Sequence, residues 1–259
     1  MAEPREYQTE AIIIKKAKLG EADRILTLYT PDLGKIQGFA KGVRRPKSKL
    51  SGHLELLTHS LVSLVRGRNM DTIIGSQTIN SFLPLKSDLW LTSYGLYVAE
   101  LVNQFTAEHI KNPSLFKLFL DTLNQLCQAV NNELVLRYFE LHLLSAVGYQ
   151  PELHQCVSCQ KLLEPVVNAF CSSAGGTLCP DCRHTQPLSY PLSVDTLKVL
   201  RFLQRNDYGV IIKLKTNAEL SHELKTVTAG YIRYLLEREV KSAAWLDSLR
   251  EGILRTAPK

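Results

Sequence analysis

The chain has 259 residues, of which 45% are hydrophobic and 22% charged. This ordinary globular composition excludes a collagen-like, low-complexity or wholly disordered protein. The formal net charge of +6 is too small to indicate a nucleic-acid partner by itself. Its distribution is more informative, because residues 1–80 carry 13 basic and 8 acidic side chains while residues 81–190 are net acidic.

The sequence also limits where the protein is expected to work. It has no run of 18 apolar residues, and no basic leader is followed by an apolar segment. We therefore expect a cytoplasmic protein without a membrane partner. In that compartment the six cysteines are expected to serve metal binding, catalysis or packing, and not a disulfide framework.

Five β-rich runs fill the first 80 residues, at 9–16, 24–30, 35–43, 54–66 and 70–78. A turn signal at 31–34 separates the second run from the third. Gly38 and Gly42 lie inside the third run, where glycines indicate sharp bends of a small barrel. The pattern predicts a five-stranded OB-type β-barrel over residues 1–80.

After residue 80, apolar residues recur every three or four positions, which predicts helices. One stripe runs from Trp90 to Phe105. A second follows Asn112 as N-cap and runs from Phe116 to Val130, and a helix over 133–147 is apolar on most sides and therefore expected to be buried. Ser193 and Asn217 are predicted caps of two further helices. The fold class is thus α+β multidomain, with a helical domain at 81–150, a cysteine-rich module at 151–190 and C-terminal helices at 191–259 that pack with the helical domain.

Four cysteines form the most specific motif. Cys156-x2-Cys159 is followed after 19 residues by Cys179-x2-Cys182, a spacing typical of zinc sites. Two such turns direct four thiolates at one Zn²⁺ ion, which closes its coordination sphere and predicts a structural role. Unligated or redox-paired cysteines remain an alternative.

The other candidate ligands are weaker. Cys127 lies on a helical apolar stripe, which favours core packing. Cys171 lacks a C-x-x-C partner but is an alternative ligand, as are His154 and His184, for which a solvated role is favoured.

Six cations and no acid lie between Lys35 and Lys49. If residues 35–43 form a strand, Lys35, Phe39 and Lys41 share one face, where cations follow phosphates and the ring stacks on a base. This predicts a surface for single-stranded nucleic acid, with a solvated loop as the alternative. The remaining candidates are Arg44, Arg45, Lys47 and Lys49 in the following loop, and Arg24, Arg66 and Arg68 on the barrel.

No catalytic motif accompanies these features. The sequence lacks a G-x-x-x-x-G-K-[ST] loop, a G-x-S-x-G elbow and an H-E-x-x-H pair. We therefore expect a binding protein and not an enzyme.

The order of barrel, helices and four-cysteine module resembles the bacterial RecO family of recombination mediators. The resemblance covers roughly residues 8–250. It rests on the segments 10–14, 20–24, 34–36, 40–45, 138–144, 148–153 and 175–179.

This resemblance implies binding of single- and double-stranded DNA and annealing of complementary strands. It implies RecR and single-strand DNA-binding protein as partners, with RecA loaded indirectly at gaps. It also implies that Lys35, Lys41, Arg44 and Arg45 lie on a DNA surface and that zinc is scaffolding. The rival hypotheses are an RNA-binding zinc-ribbon protein of translation or transcription, and a zinc hydrolase or nuclease.

Overall fold

A computed structural model describes residues 5–256 of the chain. The N-terminal strands are β1 (Glu6–Leu19), β2 (Asp23–Thr30), β3 (Gly34–Ala40), β4 (His59–Val65) and β5 (Asp71–Asn80). The helices that follow are α1 (Leu83–Ser87), α2 (Leu89–Phe105), α3 (Pro113–Leu126) and α4 (Asn132–Ala146). The remaining elements are β6 (Asn168–Cys171), β7 (Gly176–Leu178), β8 (Tyr190–Leu192), α5 (Val194–Arg205), α6 (Tyr208–Ile211), α7 (Ala218–Leu236) and α8 (Lys241–Thr256).

The first five strands close into an OB-type barrel in the order β1-β2-β3-β5-β4, as predicted. All contacts between neighbouring strands are antiparallel except for β3 with β5, which pair in parallel through Gly38 with Asp71 and Phe39 with Thr72. Alternate residues of each strand fill the interior. In β3 these are Ile36, Gly38 and Ala40.

The predicted strand at 54–66 is wrong in its first part. β4 begins only at His59, and a short 3-10 turn at Ser51–His53 precedes it. Leu54 and Leu57 are buried, but Leu57 has a φ of 60°, which a strand cannot accommodate. Apolar residues therefore reach the core here from a turn.

Helices cover part of the outer surface of the barrel. Tyr29 of β2 is fully buried, and its ring lies 6.4 Å from those of both Phe116 and Phe119 on α3. α2 packs on β1 beside it. Burial of these aromatic rings fixes which part of the barrel stays open to solvent.

The predicted helix caps are confirmed. Asn112, Ser193 and Asn217 each accept a hydrogen bond from the backbone N–H three residues later. The predicted stripe to Val130 is wrong at its end, because α3 stops at Leu126 and Val130 is fully exposed. Helix α4 is buried on several sides and packs on α5, α6 and α7, as its composition predicts.

The described residues form two compact units. One contains the chain as far as Gln128 together with α8, and the other runs from Ala129 to Val240. In the first, the Glu100 carboxylate of α2 accepts the backbone N–H groups of Lys241 and Ser242 at the start of α8. The four predicted domains are divided at other positions than these two units, and they stay a prediction. Residues 1–4 and 257–259, which the predicted domains include, lie outside the described residues.

Within residues 5–256, no helix is both long and apolar enough to cross a membrane.

Candidate functional site

The four cysteines of the two C-x-x-C turns lie together. Their Sγ atoms are all within 4.8 Å of one another, and those of Cys159 and Cys179 are 3.8 Å apart. A disulfide needs about 2.05 Å, and all six cysteines of the chain are free. Cys156 is buried and Cys159 is exposed, so the group lies at the surface of the second unit with one side facing its interior. Four convergent sulfurs at this spacing can hold a metal ion.

The backbone around the cluster brings the two turns together. The Glu152 and Thr177 backbones are joined by a 2.9 Å hydrogen bond, and the N–H of Val157 donates to the carbonyl of Thr177. A Cβ atom on Gly176 would lie 2.6 Å from the Glu152 carbonyl oxygen, so only glycine fits there. These contacts bring the two C-x-x-C turns close together.

The acidity of the sulfurs differs within the group. Burial raises the pKa of the Cys156 thiol, but hydrogen bonds from the N–H groups of Cys159, Cys179 and Ser158 outweigh it and place that pKa at about 6. A hydrogen bond shared with Cys179 raises the pKa of Cys182 to about 12. One thiolate thus forms readily, whereas other sulfurs share protons that a bound cation would displace.

The alternative ligands are not part of this group. Among the described residues, the metal-competent cluster contains only the four cysteines, and so includes none of Cys171, His154 or His184. Cys171 is buried in β6, with its Sγ 3.2 Å from Ser173 Oγ. Cys127 follows the end of α3 and is half-buried.

The outer face of β3 carries Phe39 in the middle of a row that crosses four strands. Phe39 lies opposite Ile25 of β2 and Thr72 of β5, and Ile25 lies opposite Ala17 of β1. Residues directly opposite one another point to the same face, here away from the barrel interior. Phe39 is only half-buried, so this row is accessible.

The residues after β3 form a basic loop (residues 41–49) in which Lys41, Arg44, Arg45, Lys47 and Lys49 are all exposed. The loop begins with ordered turns: the Gly42 N–H donates to Asp23 Oδ1 at 2.6 Å, and the Arg44 side chain donates to the Gly20 carbonyl at 3.1 Å. Within the described part of the chain, no carboxylate pairs with Lys41, Arg45, Lys47 or Lys49. Five cations therefore face solvent at one end of β3.

Lys35 lies on the predicted outer face of β3, but its side chain already binds backbone carbonyls of another element. Its ammonium group donates to the Asn103 carbonyl at 2.7 Å and to the Thr106 carbonyl at 2.5 Å, at the end of α2. The His109 N–H in turn donates to the Lys35 carbonyl at 2.9 Å. The α2–α3 connection (residues 106–112) therefore crosses the outer face at the start of β3, and Lys35 binds it.

Arg24 is also paired, in this case with a carboxylate. It lies on β2 level with Ala40, and its guanidinium is 3.7 Å from the Glu55 carboxylate, which also binds Lys16. Sequence spacing could not place Glu55 near Arg24, because the two residues are 31 positions apart.

Arg66 and Arg68 are exposed in the β4–β5 loop (residues 66–70). Because β5 runs parallel to β3 and Asp71 lies level with Gly38, this loop lies toward the start of β3. The basic loop follows the end of β3. The predicted cations therefore form two groups, one at each end of the strand that carries Phe39.

Comparison with known proteins fits this architecture. Residues 1–82 match the family described as "Recombination protein O N terminal", and residues 86–244 match "Recombination protein O C terminal". The chain belongs to the RecO family. Proteins named "DNA repair protein RecO" resemble it over nearly their whole length. One from Dehalococcoides mccartyi (strain CBDB1) is 51% identical, and the match covers 96% of this chain and 98% of the relative. One from Roseiflexus sp. (strain RS-1) is 38% identical, and the match covers 98% of this chain and 89% of the relative.

In this RecO-family chain, sequence reasoning missed several residues of the exposed surface. The Phe39 row also contains Ile25, Thr72 and Ala17. The next row contains Lys15, which lies opposite Thr27, which in turn lies opposite Gln37. Glu108 also reaches the surface, since its Oε1 accepts from Gln37 Nε2 at 2.6 Å. Strand register could have revealed the first four, but Glu108 arrives from a different element.

Proposed function

We propose that this RecO-family protein is a DNA repair and recombination mediator, and not an enzyme, that binds single- and double-stranded DNA on the outer face of its barrel. The observation that carries the proposal is the position of two exposed cationic loops at opposite ends of the strand that presents Phe39. From Ile36 to Ala40 that strand spans roughly 13 Å. Family membership and the name of the relatives support the same assignment.

Each part of the surface has a defined task in this proposal. Arginine and lysine side chains of the basic loop neutralise phosphates and release counterions, which makes binding sensitive to salt. The half-buried Phe39 ring, flanked by Ile25, offers a stacking surface to an unpaired base. Stacking on a ring is tolerant of sequence, because every base has a π-face.

Annealing follows from the same charges. Two complementary strands repel one another, and a surface that neutralises phosphates lowers that repulsion while it holds both strands nearby. We propose RecR and single-strand DNA-binding protein as protein partners, with RecA loaded indirectly at gaps, and action at the nucleoid in the cytoplasm. Family resemblance supports these partners.

We propose that the four-cysteine group binds one structural Zn²⁺ ion. With a zinc–sulfur bond of about 2.3 Å, sulfurs at the corners of a tetrahedron lie about 3.8 Å apart, the distance between the Sγ atoms of Cys159 and Cys179. Cys156, Cys159, Cys179 and Cys182 would fill all four positions and leave none for water or substrate. Zinc here would link the two turns and perform no chemistry.

The DNA surface is tested with the double variant Arg45→Glu/Lys47→Glu, because neither side chain bonds another element among the described residues. We expect its affinity for single-stranded DNA to fall at least about tenfold. The dependence of log affinity on log salt should become shallower by about 0.7 for each phosphate that the protein no longer neutralises. Fluorescence anisotropy across a salt series measures both quantities.

The matched control is Lys213→Glu/Lys215→Glu, which makes the same charge change at exposed positions of the other unit. Its affinity should stay close to that of the wild type. If both double variants bound DNA with the same reduced affinity, net charge alone would account for binding and the barrel surface would not.

A further inference from the structure

A pocket of about 300 Å³ lies in the first unit, between the β4–β5 loop and the α2–α3 connection. It is on the outer side of β3, where Gln37 lines it two residues before Phe39 on the same face. Two residues along a strand correspond to roughly 7 Å. The pocket is therefore adjacent to the stacking ring, at the end of β3 opposite to the basic loop.

The β4–β5 loop that forms one wall is held in a fixed shape. Asp71 accepts the N–H of Gly67 at 3.1 Å with one oxygen and the Tyr7 hydroxyl with the other. The Arg66 guanidinium lies over the Tyr7 ring, 4.9 Å from its centre. A Cβ atom on Gly67 would lie 2.0 Å from the Met70 carbonyl oxygen, so the turn requires glycine. The wall is thus organised before any ligand arrives.

The pocket combines groups that match the two halves of a nucleotide. Arg66 and Arg68 line it and can only donate hydrogen bonds, which suits phosphate. Glu108 lines the opposite side, and a carboxylate can only accept. Its Oε1 accepts from Gln37 Nε2. In the described structure, no donor bonds Glu108 Oε2 or the Gln37 amide oxygen. The exposed Glu108 carboxylate and the Gln37 amide can therefore each accept a hydrogen bond from a ligand in the pocket, beside the two arginines.

We propose that this pocket receives one base of the bound single strand and prefers bases with an exocyclic amine, so that cytosine binds better than thymine. The inference rests on the proposed function, since it assumes that DNA follows β3. Cytosine presents an N4 amine, which carboxylates accept from, whereas thymine presents its O4 acceptor at the same position. In the same placement thymine sets its O4 acceptor against the exposed Glu108 carboxylate and lacks the hydrogen bond that the cytosine amine makes, which disfavours thymine.

Equal-length oligomers of deoxycytidine and thymidine test the preference, because both pyrimidines are small and stack weakly. By fluorescence anisotropy we expect the wild type to bind the cytosine oligomer about fivefold more tightly. Glu108→Gln keeps an acceptor for Gln37 Nε2 but replaces the second oxygen with an amine that suits thymine O4. The affinity ratio should then fall to about one or reverse.

The control variant is Asp32→Asn, which removes the same charge from an exposed turn beside the connection, where Asp32 pairs with Lys111. It should raise or keep both affinities and preserve their ratio. Equal wild-type binding of the two oligomers, or a ratio that Glu108→Gln leaves unchanged, would overturn the base pocket while the DNA-binding function stands. Failure of the wild type to bind either oligomer would overturn both.

Discussion

Lys35 shows how one residue changes role when the fold is known. From sequence it belongs with the cations of the DNA surface, but its ammonium group binds the Asn103 and Thr106 carbonyls at the C-terminal end of α2. The last carbonyls of a helix lack intrahelical donors and carry partial negative charge, which attracts a cation. Burial lowers the pKa of Lys35, and the nearby Glu108 carboxylate acts in the opposite direction.

We therefore predict that Lys35→Met destabilises the first unit. Loss of two charge-assisted hydrogen bonds should lower its free energy of unfolding by about 1–3 kcal/mol, since both carbonyls lose their donor. Trp90 and Trp245 lie on α2 and α8, so tryptophan fluorescence during urea unfolding reports on this unit. Lys47→Met, which removes an exposed lysine, should change the same quantity by less than about 0.5 kcal/mol. Equal effects of the two variants would refute the structural role of Lys35.

At the scale of elements, the sequence predicts what is encoded locally. Each cap at Asn112, Ser193 and Asn217 needs only a side chain and an N–H three residues away, so a short pattern contains the whole signal. Likewise, the burial period of two in β3 is present in its own seven residues.

The α2–α3 connection illustrates what the sequence cannot predict. Its residues contact Lys35 and Gln37, about 70 positions earlier, and no periodicity encodes that approach. The same holds for Arg24 and Glu55. The sequence therefore predicts which residues are candidates for the DNA surface. Which of those cations instead bind other parts of the chain depends on long-range packing.

Glu223 provides a second test at this scale, because it joins α7 to the start of α5. Its carboxylate accepts the Ser193 N–H at 2.7 Å and the Ser193 hydroxyl at 2.6 Å. Burial raises the pKa of Glu223, but these bonds outweigh it and place that pKa below its usual value. We predict that Glu223→Gln lowers the free energy of unfolding of the second unit by about 1–2 kcal/mol at neutral pH, measured by far-UV circular dichroism in urea.

The pH dependence of that difference follows from the sign of the shift. A carboxyl whose folded pKa is depressed contributes stability above its unfolded pKa, near 4.5, and loses it as the pH falls through the folded pKa. The gap between wild type and Glu223→Gln should therefore narrow below pH 4.5. Glu219→Gln, an exposed change on the same helix, should show no such gap. A gap that widens in acid would contradict the assignment.

At the scale of the whole molecule, charge and cysteines are divided between the two compact units. The barrel segment holds six cations between Lys35 and Lys49, while the four-cysteine group lies in the unit from Ala129 to Val240. Positive charge is therefore concentrated on one unit and metal-binding capacity on the other. This separation implies that removal of the metal and removal of the DNA-binding cations have different structural consequences.

We predict that removal of zinc loosens the second unit and spares the barrel. A structural zinc site contributes on the order of 10 kcal/mol to folding, comparable with the total stability of a small domain. In Cys156→Ser/Cys179→Ser, or after chelation, amide hydrogen exchange should therefore rise around β6, β7 and β8. Exchange in β1–β5 and affinity for single-stranded DNA should stay near their wild-type values. Cys171→Ser alters a buried cysteine of the same unit outside the cluster, and it should retain one zinc ion per chain. If the double variant lost zinc but kept its wild-type exchange in residues 129–240, the metal would not hold this unit together. If Cys171→Ser lost zinc, Cys171 would be a ligand.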